Sequence, residues 1–198
     1  MSQAKMDSTL REQLAPVWRI GLLGGFAAFF IGVIGMLEMF SKRQIIYGVL
    51  DMGRLVILIF FYVTAYLAIR RGRGGAERSR IGILQGAAAG LIAAVFLAIL
   101  ALILTVLPGI RGMFVNMTPA LLELLTFGQG FVLGSVILLV VSAVLGALVG
   151  YSQYKPHPIL HGVLLTTSIV MLIGVLQDLL RVTFQNIPLL PYLGLVLF

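Results

Sequence analysis

The sequence predicts an all-α, polytopic integral membrane protein with about five transmembrane helices and a cytoplasmic N-terminus. Of its 198 residues, 60% are hydrophobic and only 11% are charged, whereas soluble domains contain about 25% charged residues. Long uncharged segments alternate with short basic loops. The longest of these segments, Ile81–Leu107, would cover roughly 40 Å as a helix, which exceeds the ~30 Å hydrocarbon core of a bilayer.

The basic loop that precedes this segment determines the predicted orientation. It contains one acid, Glu77, and five arginines: Arg70, Arg71, Arg73, Arg78 and Arg80. Because cytoplasmic loops of membrane proteins are enriched in Lys and Arg, we expect this loop on the cytoplasmic side. With the N-terminus inside, the cytoplasmic segments hold nine Lys and Arg residues and the external segments hold five.

The chain divides into a cytoplasmic lead-in at 1–19, a five-span helical domain at 20–182 and an apolar tail at 183–198. The spans are predicted at Ile20–Leu37, Leu55–Ile69, Ile81–Leu107, Gly128–Tyr151 and Ile159–Gln177. The second span is short, about 22 Å as a helix, and arginines flank it on both sides. The tail is either interfacial or the beginning of a further span.

Two links between the spans have features of their own. Met39–Arg54 is an amphiphilic link that is nearly balanced in charge and predicted to be external, and its apolar run Ile45–Leu50 either lies in the interface or hangs free. Later in the chain, Pro119–Leu125 is predicted to form a short helix with Thr118 as its N-cap.

Small residues recur at every fourth position of the third span. Because side chains at i and i+4 of a helix share one face, these positions form one smooth stripe: Gly82, Gly86, Gly90, Ala94 and Ala98. Gly146 and Gly150 form a similar pair in the fourth span. Such stripes predict close packing against another helix, either of the same chain or of a second one.

The sequence offers no residues for catalysis, for a cofactor or for a metal. Cysteine is absent, which excludes disulfides, thiolate ligands and a cysteine nucleophile. No glycine-rich phosphate-binding loop follows a strand, and no acid lies in the middle of a span, where it would mark an ion path. Asp178 and Arg181, three residues apart, are expected to form an ion pair at the end of the fifth span.

The net charge of +7 raises the question of nucleic acid as a partner. The basic residues are confined to short loops between apolar spans, and these loops contain no interleaved aromatic residues on which bases could stack. We therefore expect no nucleic-acid binding. The lipid bilayer is the partner that the composition indicates.

Four short segments of the sequence resemble segments of known proteins. Gly32–Phe40 (GVIGMLEMF), Ile45–Met52 (IIYGVLDM), Asn116–Gly130 (NMTPALLELLTFGQG) and, less closely, Gly174–Val182 (GVLQDLLRV) resemble the N-terminal membrane region of bacterial branched-chain amino acid ABC transporter permeases. The loop with which such permeases contact their ATPase is not recognisable in this sequence, and neither is their substrate pathway. No functional residue is therefore carried over.

The resemblance implies a multi-pass permease-type subunit of the bacterial inner membrane, or the N-terminal fragment of one. Its partners would be an ABC ATPase subunit, a second permease and a substrate-binding protein, and the chain itself would not be an enzyme. The alternative is a non-transporting membrane scaffold that docks onto another complex through its glycine-striped helices.

Overall fold

The computed structural model describes residues 3–41, 44–46, 50–72, 78–107, 109, 114 and 116–154, together with scattered positions between 158 and 176. For residues 3–14, 78–80 and 154 it describes the backbone alone. The chain forms two compact units, which meet at Lys155 and Pro156 in the sequence. All the helices and strands with complete bounds lie in the first unit.

The described part of the first unit contains six helices and one two-stranded hairpin. In chain order they are α1 (Gln3–Val33), α2 (Met36–Ser41), β1 (Gln44–Ile46), β2 (Leu50–Asp51), α3 (Met52–Arg71), α4 (Arg78–Val106), α5 (Pro119–Leu125) and α6 (Phe131–Tyr154). Four segments are long and apolar enough to cross a membrane: Ala15–Val33, Met52–Arg71, Ile81–Val106 and Phe131–Gln153. The prediction of a helical, multi-pass membrane protein is confirmed to this extent.

The fifth predicted span, Ile159–Gln177, lies mostly outside the described residues. Every position that is described within it is helical. The predicted ion pair of Asp178 with Arg181 and the apolar tail at 183–198 lie entirely outside the described residues, so both stay predictions.

The spanning helices run alternately in opposite directions, so the bundle has two ends that carry different elements. At the arginine end, α3 finishes at Arg71 and α4 begins at Arg78. At the hairpin end, α3 begins at Met52, directly after the β1–β2 hairpin, and α4 finishes at Val106.

Packing contacts assign α1 and α6 to the same two ends. Val17 of α1 belongs to one buried cluster with Ala68 near the end of α3 and Ala89 near the beginning of α4. The span of α1 therefore begins at the arginine end. The last turns of α6 lie beside the first turns of α4, since Gly150 approaches Gly82. Thus α6 finishes at the arginine end.

The span in α3 is longer than the predicted Leu55–Ile69. The prediction took Arg54 and Arg70 as the limits of the apolar segment, but both arginines lie inside the helix. Its first turn is capped by Asp51, whose side chain accepts a hydrogen bond from the backbone N–H of Arg54 at 2.7 Å. At 20 residues, α3 covers about 30 Å, the thickness of the hydrocarbon core.

The first span also differs from its prediction. Residues 3–14, which belong to the predicted lead-in at 1–19, continue α1 as one helix through Pro16. The span ends at Val33 rather than Leu37, because Gly35 adopts a left-handed conformation with φ of +82° that interrupts the helix. The chain resumes its helical course in α2.

A β-hairpin occupies the link for which the sequence predicts no regular structure. Gln44 pairs with Asp51 and Ile46 with Leu50 in antiparallel register. Ile45 and Ile46 are about half exposed. This hairpin is the described exception to the predicted all-α class.

The centre of the bundle is α4, which contacts α1, α3 and α6. Its fully buried face is built from alanine and leucine side chains: Ala89, Ala93, Ala94, Leu97, Leu100, Ala101 and Leu104. On the α1 side, glycines admit the larger side chains of α4. A Cβ on Gly32 would lie 2.6 Å from Leu100 Cδ2, and one on Gly21 would lie 2.9 Å from Ile92 Cβ.

The α4–α6 contact is a contact of backbones. A Cβ on Gly86 would collide with the Gly146 carbonyl oxygen, and a Cβ on Gly146 would collide with the Gly86 carbonyl oxygen. One turn further along, a Cβ on Gly90 would lie 2.5 Å from the carbonyl oxygen of Ser142. Only hydrogen atoms on these Cα atoms allow the two helices to approach so closely, which makes glycine a steric requirement at this crossing.

The stripe of α4 provides a matched pair of substitutions. A Cβ on Gly86 collides with backbone, whereas the nearest atoms to a Cβ on Gly82 are 3.9 Å away, an ordinary van der Waals distance. We expect Gly86→Ala to lower the free energy of unfolding by about 1–3 kcal/mol, the usual cost of overpacking. Gly82→Ala should be neutral or slightly stabilising.

Thermal unfolding of both purified variants in the same detergent measures the difference. The change in helix propensity from Gly to Ala is the same in both variants, so it cancels in the comparison. Equal melting temperatures for the two variants would show that the helices are not in backbone contact.

Candidate functional site

The hairpin end contains three sets of polar contacts, and the first of them holds the break between α1 and α2. The carbonyl of Ile34 accepts a hydrogen bond of 2.9 Å from the side-chain amide of Asn116. Two features require glycine at position 35. Its φ is positive, and a Cβ there would lie only 2.7 Å from Asn116 Cβ. The loop before α5 is thereby attached to the end of α1.

Thr118 makes the second of these contacts. Its hydroxyl donates to Glu38 Oε2 at 2.7 Å, and its oxygen accepts from the backbone N–H of Leu121 at 3.3 Å. A hydroxyl has one donor and two acceptor positions, so both bonds can form together. Thr118 is the N-cap of α5, as the sequence predicts. One side chain therefore caps α5 and links it to α2.

The third contact orients Arg54 at the beginning of α3. Asp51 Oδ2 lies 3.2 Å from Arg54 Nε, and the exposed fractions of the two side chains are only 12% and 14%. On its other side, Arg54 Cζ lies 5.4 Å from the centre of the Phe127 ring, within range of a cation–π interaction. Phe127 has a positive φ of 54°, a conformation that costs about 1–2 kcal/mol at a residue other than glycine.

A half-open pocket of about 290 Å³ lies between α2, the hairpin, α3 and α5, and the Asp51–Arg54 pair belongs to its lining. Its polar lining comes from Ser41, Gln44, Asp51, Arg54 and Glu123, and its apolar lining from Ile46, Leu50, Ala120 and Leu124. Glu123 is exposed, whereas Asp51 is paired with Arg54. The lining therefore has a surplus of one carboxylate.

The pocket presents charged groups of both signs to its interior. It contains carboxylates and a guanidinium, but no imidazole and no thiol. Across the described residues, no three His, Cys, Asp or Glu side chains lie close enough together to hold a metal ion. The pocket is a place where a polar solute or a partner side chain can be received.

The residues that the sequence singles out lie elsewhere. Gly82, Gly86, Gly90, Gly146 and Gly150 come together in the α4–α6 contact. Ala94 of the same stripe is completely buried, and Ala98 is half-buried.

The arginines that the sequence predicts to determine the topology are described only in part. Arg70 and Arg71 are exposed in the last turn of α3. Arg78 and Arg80 lie in the first turn of α4, where the backbone alone is described, and Arg73 falls outside the described residues.

Sequence reasoning did not find the pocket. Its two acids, Asp51 and Glu123, lie in links between predicted spans, and no pattern in the sequence brings them together. The available signal was that both acids fall in links on the same predicted side of the membrane.

Comparisons of the chain with protein-family models, with curated proteins and with solved structures find no match.

The double role of Thr118 predicts an unusually costly substitution for a half-exposed threonine. Thr118→Val removes the helix cap and leaves Glu38 without its donor, so we expect the free energy of unfolding to fall by about 1–3 kcal/mol. Thr118→Ser keeps the hydroxyl and should lose much less. Thr105→Val is the matched control, since the Thr105 hydroxyl only donates to Ala101 of its own helix.

Thermal melts of the three variants in detergent give the comparison. A Thr118→Val variant that melts together with Thr105→Val would contradict the bridging role of Thr118.

Proposed function

We propose that this chain is a permease-type membrane subunit, or the N-terminal region of one, in a bacterial ABC transporter for branched-chain amino acids. The chain would remain in the inner membrane through its spans and would contribute no ATP hydrolysis. Its partners would be an ATPase subunit, a second permease and a substrate-binding protein.

One observation carries this proposal: three of the segments that resemble such permeases form a single structural unit. Asn116–Gly130 is far from Gly32–Phe40 and Ile45–Met52 in the sequence, yet the described residues of all three segments lie at the hairpin end. The Asn116–Ile34 and Thr118–Glu38 hydrogen bonds join the first segment to the third. The second and third segments both contribute to the lining of the pocket. Similar segments that come together in one part of the fold support a fold shared with such permeases better than similar segments scattered over the structure would.

The distribution of charge supports an orientation for this subunit. The exposed Arg70 and Arg71 lie at the arginine end, and all acids whose side chains are described lie at the hairpin end: Glu38, Asp51 and Glu123. By the positive-inside bias, the arginine end would face the cytoplasm and an ATPase partner. The hairpin end, with its pocket, would face outward, where a substrate-binding protein docks.

The alternative of a membrane scaffold receives less support. As first stated, it requires the glycine stripe to dock onto another complex. Gly86 and Gly90 of that stripe already contact α6 of the same chain, so this face is occupied. A scaffold would need a different surface.

The absence of cysteine allows a labelling test of the orientation without background. Glu123→Cys and Arg71→Cys place one thiol at each end of the bundle, both at exposed positions. In intact cells, a membrane-impermeant maleimide should label the thiol at position 123, whereas the thiol at position 71 should react only after permeabilisation. The reverse pattern would overturn the proposed orientation.

Recovery of partners tests the transport function. The tagged chain, extracted from its native membrane in mild detergent, should bring down a nucleotide-binding subunit in stoichiometric amount, and tag-only membranes serve as the control. Loss of the chain should also abolish ATP-dependent uptake of a branched-chain amino acid. Stoichiometric recovery in some other membrane complex, with uptake unchanged, would favour the scaffold instead.

A further inference from the structure

The arginine end carries a belt of cationic and aromatic side chains to which the proposed transport function assigns no ligand. We call it the basic belt: Trp18 and Arg19 on α1, and Tyr66, Arg70 and Arg71 on α3. Trp18 has an exposed fraction of 58%, and the three arginines are also exposed.

The members of the belt lie at one level of the bundle. Val17 and Ile20, which flank Trp18 and Arg19 in α1, are buried in one cluster with Ala68 of α3. The two arginines of α3 follow Ala68 within one helical turn. The tryptophan and all three arginines are therefore within one turn of the same buried contact.

On α3 the belt continues toward the middle of the span as a ladder of contacts, in which Arg70, Tyr66 and Tyr62 pack one on the next. Arg70 Cζ lies 5.6 Å from the centre of the Tyr66 ring. The Tyr66 ring in turn stacks on Tyr62, with 6.2 Å between centroids and 18° between planes. These residues are four apart, so they share one face of the helix.

Apolar side chains accompany this ladder. Val63 and Leu67 are about 40% exposed, which places open hydrocarbon surface beside the tyrosines. The outer surface of α3 thus changes from cationic at its end, through aromatic, to apolar toward the middle of the membrane. This order matches the order of groups in an anionic phospholipid: a phosphate, a glycerol ester region and an acyl chain.

The charge around the belt is not neutralised by the acids whose side chains are described. Those acids are Glu38, Asp51 and Glu123, and all lie at the opposite end of the bundle. A basic residue close to a membrane surface attracts anionic lipid with about 1 kcal/mol. Tryptophan and tyrosine are the residues that favour the headgroup level.

We propose that the basic belt binds anionic phospholipid, with Arg70 and Arg71 on the phosphate and Tyr66, Tyr62 and Leu67 along an acyl chain. This binding would anchor the arginine end at the headgroup level. It does not depend on the transport function or on the direction of insertion, because it follows from the side chains on the surface of α3.

The test uses the purified full-length chain in bilayer discs of phosphatidylcholine that contain increasing fractions of phosphatidylglycerol. The anionic lipid should raise the melting temperature of the wild-type chain in a saturable manner, and high salt should weaken the effect because salt screens exposed charges. In the double variant Arg70→Gln, Arg71→Gln, the apparent affinity for phosphatidylglycerol should fall by about 30-fold. This figure follows because each arginine contributes about 1 kcal/mol to the attraction of anionic lipid.

The double variant Lys42→Gln, Arg43→Gln is the matched control, because it removes the same net charge in the sequence between α2 and β1, two elements of the hairpin end. It should keep the wild-type response. An equal loss of response in both double variants would show that the lipid senses net charge alone and would overturn the proposal. A wild-type chain that is indifferent to phosphatidylglycerol, but that retains an acidic protein through these arginines, would also overturn it.

A second measurement needs no substitution. Trp18 is the only tryptophan in the chain, and it belongs to the belt, so its fluorescence reports on the lipid around this end. Brominated phosphatidylglycerol should quench it more strongly than brominated phosphatidylcholine at the same mole fraction. Equal quenching by the two lipids would contradict the proposal even if the arginine variants fail to fold.

Discussion

The structure depends on the backbone contact between α4 and α6. Within a bilayer, apolar side chains gain little by leaving lipid for another helix, so association relies on close van der Waals packing and on polar contacts between helices. Gly86 and Gly146 provide both, since each presents its Cα hydrogens to the carbonyl oxygen of the other. Contacts of this Cα–H···O kind contribute about 0.5–1 kcal/mol each. They also fix which turns of the two helices face one another.

The remaining elements are arranged around this pair. Because α4 uses its glycine stripe for α6, its alanine and leucine face is left for α1 and α3. The order of the helices brings the end of α1 and the beginning of α3 beside α5 at the hairpin end. There the Asn116 and Thr118 side chains connect the loop before α5 to α1 and α2. The pocket is a consequence of this arrangement, since its walls come from elements that the bundle assembles.

The sequence predicts the parts of the fold that local patterns determine. Uncharged segments of sufficient length locate the four described spans, the i, i+4 spacing from Gly82 onward identifies the stripe of α4, and Thr118 before Pro119 identifies the cap of α5. The length of α3 is underestimated because a charge does not end a helix: Arg54 is accommodated in the first turn by Asp51 and Phe127.

The pocket could not be predicted in this way. Its lining brings Asp51 and Arg54 beside Ala120 and Glu123, which are distant in the sequence, and no periodicity in the sequence encodes such a pairing. The break at Gly35 could not be predicted either, because a glycine in an apolar segment is as compatible with a helix-packing position as with a turn. Whether the stripe of α4 pairs within the chain or between chains was likewise open until the position of α6 was known.

The most direct test of the α4–α6 contact is solid-state NMR of the unmodified chain, labelled with ¹³C in its glycines and reconstituted in lipid bilayers. The structure predicts cross-peaks that connect Gly86 with Gly146, and Gly90 with Gly146, and these should persist when labelled chains are diluted in unlabelled ones. Spectra in which these glycines show correlations only within their own helices would contradict the account. Cross-peaks that vanish on dilution would do the same, because the contact would then lie between chains.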